Sequence, residues 1–71
     1  MNLRILKQGD TGGDVRSLQR LLHGTTKPLT VDGVFGPATV AAVRQFQSMT
    51  GHLAVDGVVG SGTWTSLVAV G

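Results

Sequence analysis

Four aspartates and two histidines are the side chains best suited to acid–base or metal chemistry, since the chain contains no cysteine and no glutamate. Asp32 and Asp56 stand 24 positions apart, and each directly precedes a glycine. A pair of carboxylates is what hydrolysis of a glycosidic bond requires. Asp-Gly is also a turn dipeptide, in which the carboxylate accepts hydrogen bonds from the following backbone N–H groups. We favour turn capping over catalysis.

The other reactive side chains indicate neither a nucleophile nor a metal site. No base stands in a pattern with a Ser or Thr that is typical of a catalytic triad. His23 is expected near a helix C-terminus, which favours a histidine through the helix dipole, and His52 in a loop. A metal site built from both histidines and an aspartate is the less favoured alternative. We therefore expect no catalytic residue, no metal and no cofactor.

Length and charge limit the fold and the partners. Seventy-one residues predict one domain, spanning residues 1–71. The six lysines and arginines are scattered and the net charge is only +2, whereas nucleic-acid binders usually cluster their basic residues. The sequence has no apolar run long enough to span a membrane and no signal-peptide pattern at its start. We expect a monomer that binds neither nucleic acid nor membrane.

Apolar spacing and helix-stop residues predict three short helices. The first is predicted from Gly13 or Asp14 to Leu22, with Gly24 as its stop signal. The second is predicted from Pro37 to about Met49, ended by Gly51, and the third from Ser61 to about Val68. Phe46 and Trp64 are expected in the core between these helices.

A repeat links these helices. Residues 29–43 and 53–67 are identical at seven of fifteen positions, and VRSLQ at 15–19 is echoed by VRQFQ at 43–47. Each copy predicts a glycine-rich, hairpin-like loop that opens into a helix. Gln19 and Gln47 are expected to hydrogen-bond the loop backbone. The fold class is therefore mainly α, a compact three-helix bundle with two short glycine-rich hairpin-like loops and a pseudo-repeat.

Three stretches, LKQGDTGGDVRSLQRLL, LTVDGVFGPATVAAVRQFQ and GHLAVDGVVGSGTWTSL, resemble the peptidoglycan-binding domain of bacterial and phage cell-wall hydrolases. The resemblance covers roughly residues 5–68. It implies a non-catalytic three-helix domain that tethers an attached wall-active enzyme to peptidoglycan. It also implies a location in the cell envelope, outside the cell or on a phage-delivered protein. The matching positions are Gly9, Gly12, Val15, Leu18, Gln19, Leu22, Asp32, Gly33, Gly36, Thr39, Ala42, Val43, Phe46, Gln47, Asp56, Gly57, Gly60, Thr63 and Trp64.

The expected ligand is peptidoglycan, bound through its glycan or its stem peptide in a shallow groove between the Asp-Gly loops and the following helix N-termini. Helix N-termini offer free N–H groups to carboxylates and amide carbonyls. Phe35 is expected to flank the groove and stack on a sugar, so that Phe35→Ala would weaken wall binding without loss of stability. The alternative is simple packing of Phe35 in the hairpin. The candidate ligand-binding residues are Asp32, Gly33, Phe35, Gly36, Thr39, Asp56, Gly57, Gly60, Thr63 and Trp64.

Three other functions stay open at this point. The first is a protein–protein interaction module that retains the same bundle. The second is a small wall-degrading enzyme that uses Asp32 and Asp56. A three-helix DNA-binding domain is the least favoured, because strong binding needs more phosphate-facing basic residues than this chain has.

Overall fold

The three predicted helices are present in the computed structural model, which describes residues 5–26, 29–51 and 53–70. They are α1 at Gly13–Thr25, α2 at Pro37–Thr50 and α3 at Ser61–Val70. The mainly-α, three-helix fold class is therefore confirmed. His52, which the alternative metal site required, lies outside the described residues. Within the described ranges, no helix has the length and apolar character needed to cross a membrane.

The end of α1 lies three residues beyond the predicted one, because Gly24 does not stop the helix. The Thr25 hydroxyl donates a hydrogen bond to the carbonyl of Leu21 at 2.8 Å, and the Thr26 hydroxyl donates to that of Leu22 at 2.9 Å. The Leu22 carbonyl also accepts the Thr26 N–H at 2.7 Å, so the Thr26 hydroxyl adds a second hydrogen bond to this carbonyl. The helix therefore continues through Gly24 to Thr25, and the prediction for Gly24 was wrong.

The boundaries of α2 follow the predicted signals closely. Pro37 stands at the first helical position, where a missing N–H costs nothing. Gly51 follows the last residue with φ of 78°, the left-handed conformation that glycine adopts most easily. The third helix begins at the predicted Ser61 and continues to Val70, two residues beyond the predicted end.

The core lies where α1 contacts both α2 and α3. The apolar residues of α1 recur every three or four positions, which directs them to one side of the helix. Phe46 and Trp64 are buried, as predicted. The buried apolar residues are Leu6, Val15, Leu18, Leu22, Phe35, Ala42, Val43, Phe46, Val59, Trp64 and Leu67.

The first loop (residues 29–36) and the second loop (residues 53–60) both pair with the N-terminal segment (residues 5–12). Isolated antiparallel bridges join Thr11 to Val34 and Leu6 to Val59. The Leu6 N–H donates to the Val59 carbonyl at 3.1 Å, and the Val59 N–H donates back at 2.8 Å. The bridges among the described residues therefore connect each loop to a distant segment, and not the two limbs of one hairpin.

This pairing places Phe35 in the core and corrects its predicted role. The Gly9 N–H donates to the Phe35 carbonyl at 3.0 Å, and the Phe35 N–H donates to the Asp10 carbonyl at 2.9 Å. Phe35 as a whole is only 1% exposed, so its ring is buried. A buried ring offers no face to a sugar, so the stacking prediction was wrong, and packing of Phe35 against the bundle is what the structure shows.

We expect Phe35→Ala to lower the free energy of unfolding by about 3–5 kcal/mol, as for other buried phenylalanines. A core of this size supplies roughly 3–5 kcal/mol in total, so the variant should be largely unfolded at 25 °C. Urea denaturation followed by the fluorescence of Trp64, the single tryptophan, measures this change. Val34→Ala is the control, because Val34 is 51% exposed. Equal stability of the two variants would contradict the assignment of Phe35 to the core.

Candidate functional site

The first loop is held by the side chain of Gln19, which projects from α1. Its Oε1 accepts a hydrogen bond from the Gly33 N–H at 2.9 Å. Its Nε2 lies 3.0 Å from Asp32 Oδ1, 2.9 Å from the Val34 carbonyl and 3.1 Å from Thr39 Oγ1. Three acceptors therefore share the two hydrogens of one amide nitrogen. A single buried amide ties the loop and the start of α2 to α1.

Gln47 on α2 makes the same connections to the second loop. Its Oε1 accepts from the N–H groups of Asp56 and Gly57 at 3.2 and 3.0 Å. Its Nε2 lies 3.0 Å from Asp56 Oδ1, 2.9 Å from the Val58 carbonyl and 3.3 Å from Thr63 Oγ1. The prediction that both glutamines bind loop backbone is thus confirmed.

The two loop aspartates act as turn caps. The Val34 N–H donates to Asp32 Oδ1 at 2.9 Å. This hydrogen bond is the largest cause that lowers the pKa of Asp32 below its usual value, followed by the bond from Gln19, with a smaller contribution from the charge of Arg16. Burial opposes these effects only in part. The pKa of Asp56 is lowered by the matching groups of the second copy.

These pKa directions argue against a glycosidase pair. One of the two carboxylates would have to protonate the leaving group, which requires a raised pKa. Both loop aspartates are instead stabilised as anions by hydrogen-bond donors. Their arrangement can hold a turn or accept a hydrogen bond from a ligand.

The side chains of Arg16 and Arg44 lie close to the turn glycines of the first and second loops, respectively. Gly33 has φ of 78°, and a Cβ there would lie 3.0 Å from Arg16 Nε. Gly57 has φ of 74°, and a Cβ would lie 3.2 Å from Val40 Cγ1 and 3.6 Å from Arg44 Nε. Both the left-handed backbone and the close side chains therefore restrict these positions to glycine. The two glycines are structural parts of the loops.

An open pocket of about 230 Å³ lies beside the second loop, at the start of α3. Its polar lining residues are Asp56, Gln47 and Thr63. Its apolar wall includes Ile5 and Leu53. The full lining is Ile5, Gln47, Leu53, Ala54, Asp56, Val58, Gly60, Gly62 and Thr63.

The pocket brings together three of the predicted site residues, Asp56, Gly60 and Thr63. Thr63 is buried, and its hydroxyl lies within hydrogen-bond distance of Gln47. Trp64 is 3% exposed, so it has no free face for a ligand and serves the core instead.

In the first copy, Asp32, Gly33 and Thr39 belong to the hydrogen-bond network of Gln19. The structure does not test the predicted ligand roles of Gly36 and Gly57, which stay predictions.

Sequence reasoning missed Ile5, Leu53 and Gly62 as pocket residues. Position 62 did carry a signal, because the repeat places Gly62 where the first copy has Ala38. Ile5 carried none, since it lies outside both copies and reaches the pocket only through the fold. Among the described residues, no group of three or more His, Cys, Asp or Glu side chains could hold a metal ion.

The chain is thus a small three-helix domain with two carboxylate-capped turns and an open pocket beside the second loop. A family model described as "Putative peptidoglycan binding domain" matches residues 11–67, and the chain belongs to that family. The resemblance and the prediction of a binding module are therefore confirmed.

Known relatives place such domains within larger wall enzymes. The chain is 46% identical over 65 residues to the zinc D-Ala-D-Ala carboxypeptidase of Streptomyces albus G, covering 87% of this chain and 25% of that protein. It is 41% identical over 66 residues to the spore cortex-lytic enzyme of Bacillus subtilis strain 168, covering 92% and 22% respectively. The crystal structure of the SleB N-terminal domain superposes with a TM-score of 0.91 at 38% identity, over 99% of this chain and 96% of that one. The chain thus spans about a quarter of the length of the carboxypeptidase and of the cortex-lytic enzyme, and catalytic activity belongs to other domains of these two proteins.

We expect Gln19→Leu to lower the free energy of unfolding by about 2–4 kcal/mol. The variant leaves the buried Gly33 N–H without its acceptor, which costs about 1–3 kcal/mol, and it also removes the hydrogen bond from the amide to the Asp32 carboxylate. Ser17→Ala, at an exposed position on the same helix, is the control. Urea denaturation measures both variants, and a Gln19→Leu protein as stable as the control would contradict the role of the amide.

The lowered pKa values of Asp32 and Asp56 predict an acid-sensitive fold. Because the folded-state pKa of each lies below the unfolded value of about 3.9, the stabilisation is present above that pH and is lost as the pH falls through the folded pKa. In the double variant Asp32→Asn/Asp56→Asn, the amide oxygens can still accept the turn hydrogen bonds, but they do not titrate. We expect its thermal stability to fall less steeply than that of the wild type below pH 4 in scanning calorimetry. If the thermal stability of the wild type and of the double variant fell equally with pH, the proposed contribution of the two aspartates to acid sensitivity would be contradicted.

Proposed function

We propose that this chain binds peptidoglycan through the pocket beside the second loop, and that in its natural setting it holds a wall-acting enzyme on the polymer. The observation that supports this proposal is the pocket itself, formed in a member of the peptidoglycan-binding family by the Asp-Gly loop and the start of α3. The relatives named above are wall enzymes of which this domain forms about a quarter. The proposed location is therefore the cell envelope or the outside of the cell.

The pocket suits a small unit of the polymer and not an extended stretch. Its volume of about 230 Å³ is below the roughly 300–1,000 Å³ of pockets that hold drug-sized ligands. One sugar or amino-acid residue is of a suitable size. Such a site binds weakly, but attachment to the polymer raises the effective concentration of a tethered enzyme, so a weak module is sufficient.

The lining favours a secondary amide that carries a methyl group. The Asp56 carboxylate can accept a hydrogen bond from the amide N–H, since the Gln47 network engages only Oδ1. The first turn of α3 offers backbone N–H groups to the amide carbonyl. Leu53 and Ile5 provide apolar surface for the methyl group. Both the N-acetyl groups of the glycan and the alanines of the stem peptide have this chemistry.

Co-sedimentation with purified sacculi tests the proposal. The wild-type chain should pellet with intact sacculi, and competition separates the two sources of the amide. Release by N-acetylated glycan strands without stem peptides identifies the sugar, whereas release by soluble stem peptides identifies the peptide. If neither the glycan strands nor the stem peptides release the chain, recognition of the methyl-bearing amide is contradicted. A chain that does not pellet at all would instead favour a protein–protein interaction module. Light scattering of the same sample checks the expected monomer.

A matched pair of variants tests the pocket wall. Ile5 and Met49 are both largely exposed apolar residues, at 67% and 59%, but only Ile5 lines this pocket. We expect Ile5→Ser to raise the dissociation constant for sacculi roughly threefold to tenfold, because partial burial of an apolar side chain contributes about 1 kcal/mol. Met49→Ser should bind like the wild type. Equal affinities of the two variants would remove Ile5 from the site.

A further inference from the structure

The two copies of the Asp-Gly loop share one hydrogen-bond framework. Asp32 and Asp56 accept from the N–H two residues later at the same distance of 2.9 Å. The amides of Gln19 and Gln47 lie 2.9 Å from equivalent loop carbonyls. Differences between the copies are therefore not imposed by the framework, and they can reflect different roles.

The N-terminal segment covers the first loop more extensively than the second. The Gly12 N–H donates to the Gly33 carbonyl at 2.9 Å, in addition to the two bonds that Phe35 makes with residues 9 and 10. Gly57 is the equivalent of Gly33 in the second loop. Among the described residues, no backbone N–H donates to the Gly57 carbonyl. The first loop is thus bonded to the N-terminal segment on both sides of its turn, although the turn glycines Gly33 and Gly57 are both buried.

The helices that follow the two loops begin with different residues. The second helix starts with Pro37 and Ala38, and α3 starts with Ser61 and Gly62 at the matching positions. Proline has no N–H to offer a ligand, whereas Ser61 has one. The start of α3 therefore presents one more donor than the start of α2.

Gly62 packs closely against Leu53, so a side chain here would press on the pocket wall. A Cβ at this position would lie 3.3 Å from Leu53 Cδ2, and both residues line the pocket. In the first copy, Ala38 carries that methyl group. Glycine inside the first turn of a helix is unfavourable compared with alanine, so this glycine is not explained by helix stability.

We infer that the two copies have divided their roles: the first loop is a structural element, the second loop carries the ligand pocket, and Gly62 sets the size of the group that the pocket admits. This inference rests on the proposed function and adds the residue that determines specificity. The group admitted is the methyl-bearing amide of peptidoglycan. The absence of a side chain at residue 62 lets it approach the first turn of α3 beside Leu53.

Reciprocal variants test this division because stability and binding should change in opposite directions. Gly62→Ala should keep or raise the melting temperature, since alanine favours the helix and the Leu53 side chain can shift by a few tenths of an ångström. It should also weaken binding to sacculi about tenfold, as expected when one methyl group is added to the wall of a pocket that contacts the ligand. Ala38→Gly should lower the melting temperature and leave binding unchanged when measured well below it.

Chemical-shift mapping with a soluble disaccharide–tetrapeptide gives an independent readout. In the wild type, the amide signals that move should belong to residues 53–63 and not to residues 29–39. In Gly62→Ala, the same signals should move less at equal ligand concentration.

The outcomes separate this inference from the proposed function. If the wild type pellets with sacculi and Gly62→Ala binds equally well, the proposed role of Gly62 is overturned. Peptidoglycan binding by the chain would then still stand. Loss of binding in Ala38→Gly, or shifts confined to residues 29–39, would overturn the division of roles. A wild-type chain that neither pellets nor shows any shift would overturn both.

Discussion

The fold depends on one interaction made twice, the hydrogen bonds of a buried glutamine amide to an Asp-Gly loop. Loop backbone that is removed from water needs partners for its N–H and carbonyl groups. A glutamine side chain supplies both donors and an acceptor, which neither a glutamate nor an apolar residue can do. The chain has no cysteine and hence no disulfide to brace its loops. Among the described residues, no buried side-chain nitrogen or oxygen lacks a hydrogen-bond partner.

The same interaction determines what the two aspartates can do. A carboxylate that accepts a backbone N–H and a glutamine amide is held as an anion, which lowers its pKa and makes it unsuitable as a proton donor. Each aspartate therefore stabilises a turn and can accept a hydrogen bond from a neutral ligand. This is consistent with a binding domain whose relatives have their catalytic groups in other parts of their chains.

Duplication of the framework left some positions free to differ. Residues that belong to the network or must be glycine are the same in both copies, such as Asp32 and Asp56. Positions outside the network changed, including Ala38 in the first copy and Gly62 in the second. In the second copy this divergence at the start of the helix lies beside the pocket, so positions outside the network can change there without loss of the fold.

The sequence alone determined the elements whose signals are local. Apolar residues at helical spacing, with Pro37 and Gly51 as boundary residues, predicted α2 closely because these signals act within one or two turns of helix. The repeated Asp-Gly pairs and their glutamines likewise indicated the capped loops. Gly24 misled because the helix continues past it to Thr25, where the hydroxyls of Thr25 and Thr26 add hydrogen bonds to carbonyls of the last turn.

The tertiary structure alone decided the burial of Phe35 and the position of the pocket. Phe35 is turned into the core by pairing with the N-terminal segment, more than 20 positions earlier in the chain. The pocket assembles from Ile5, Gln47, the second loop and the first turn of α3. Periodicity and turn residues describe a segment and its immediate neighbours, whereas a concave surface exists only after distant segments pack together.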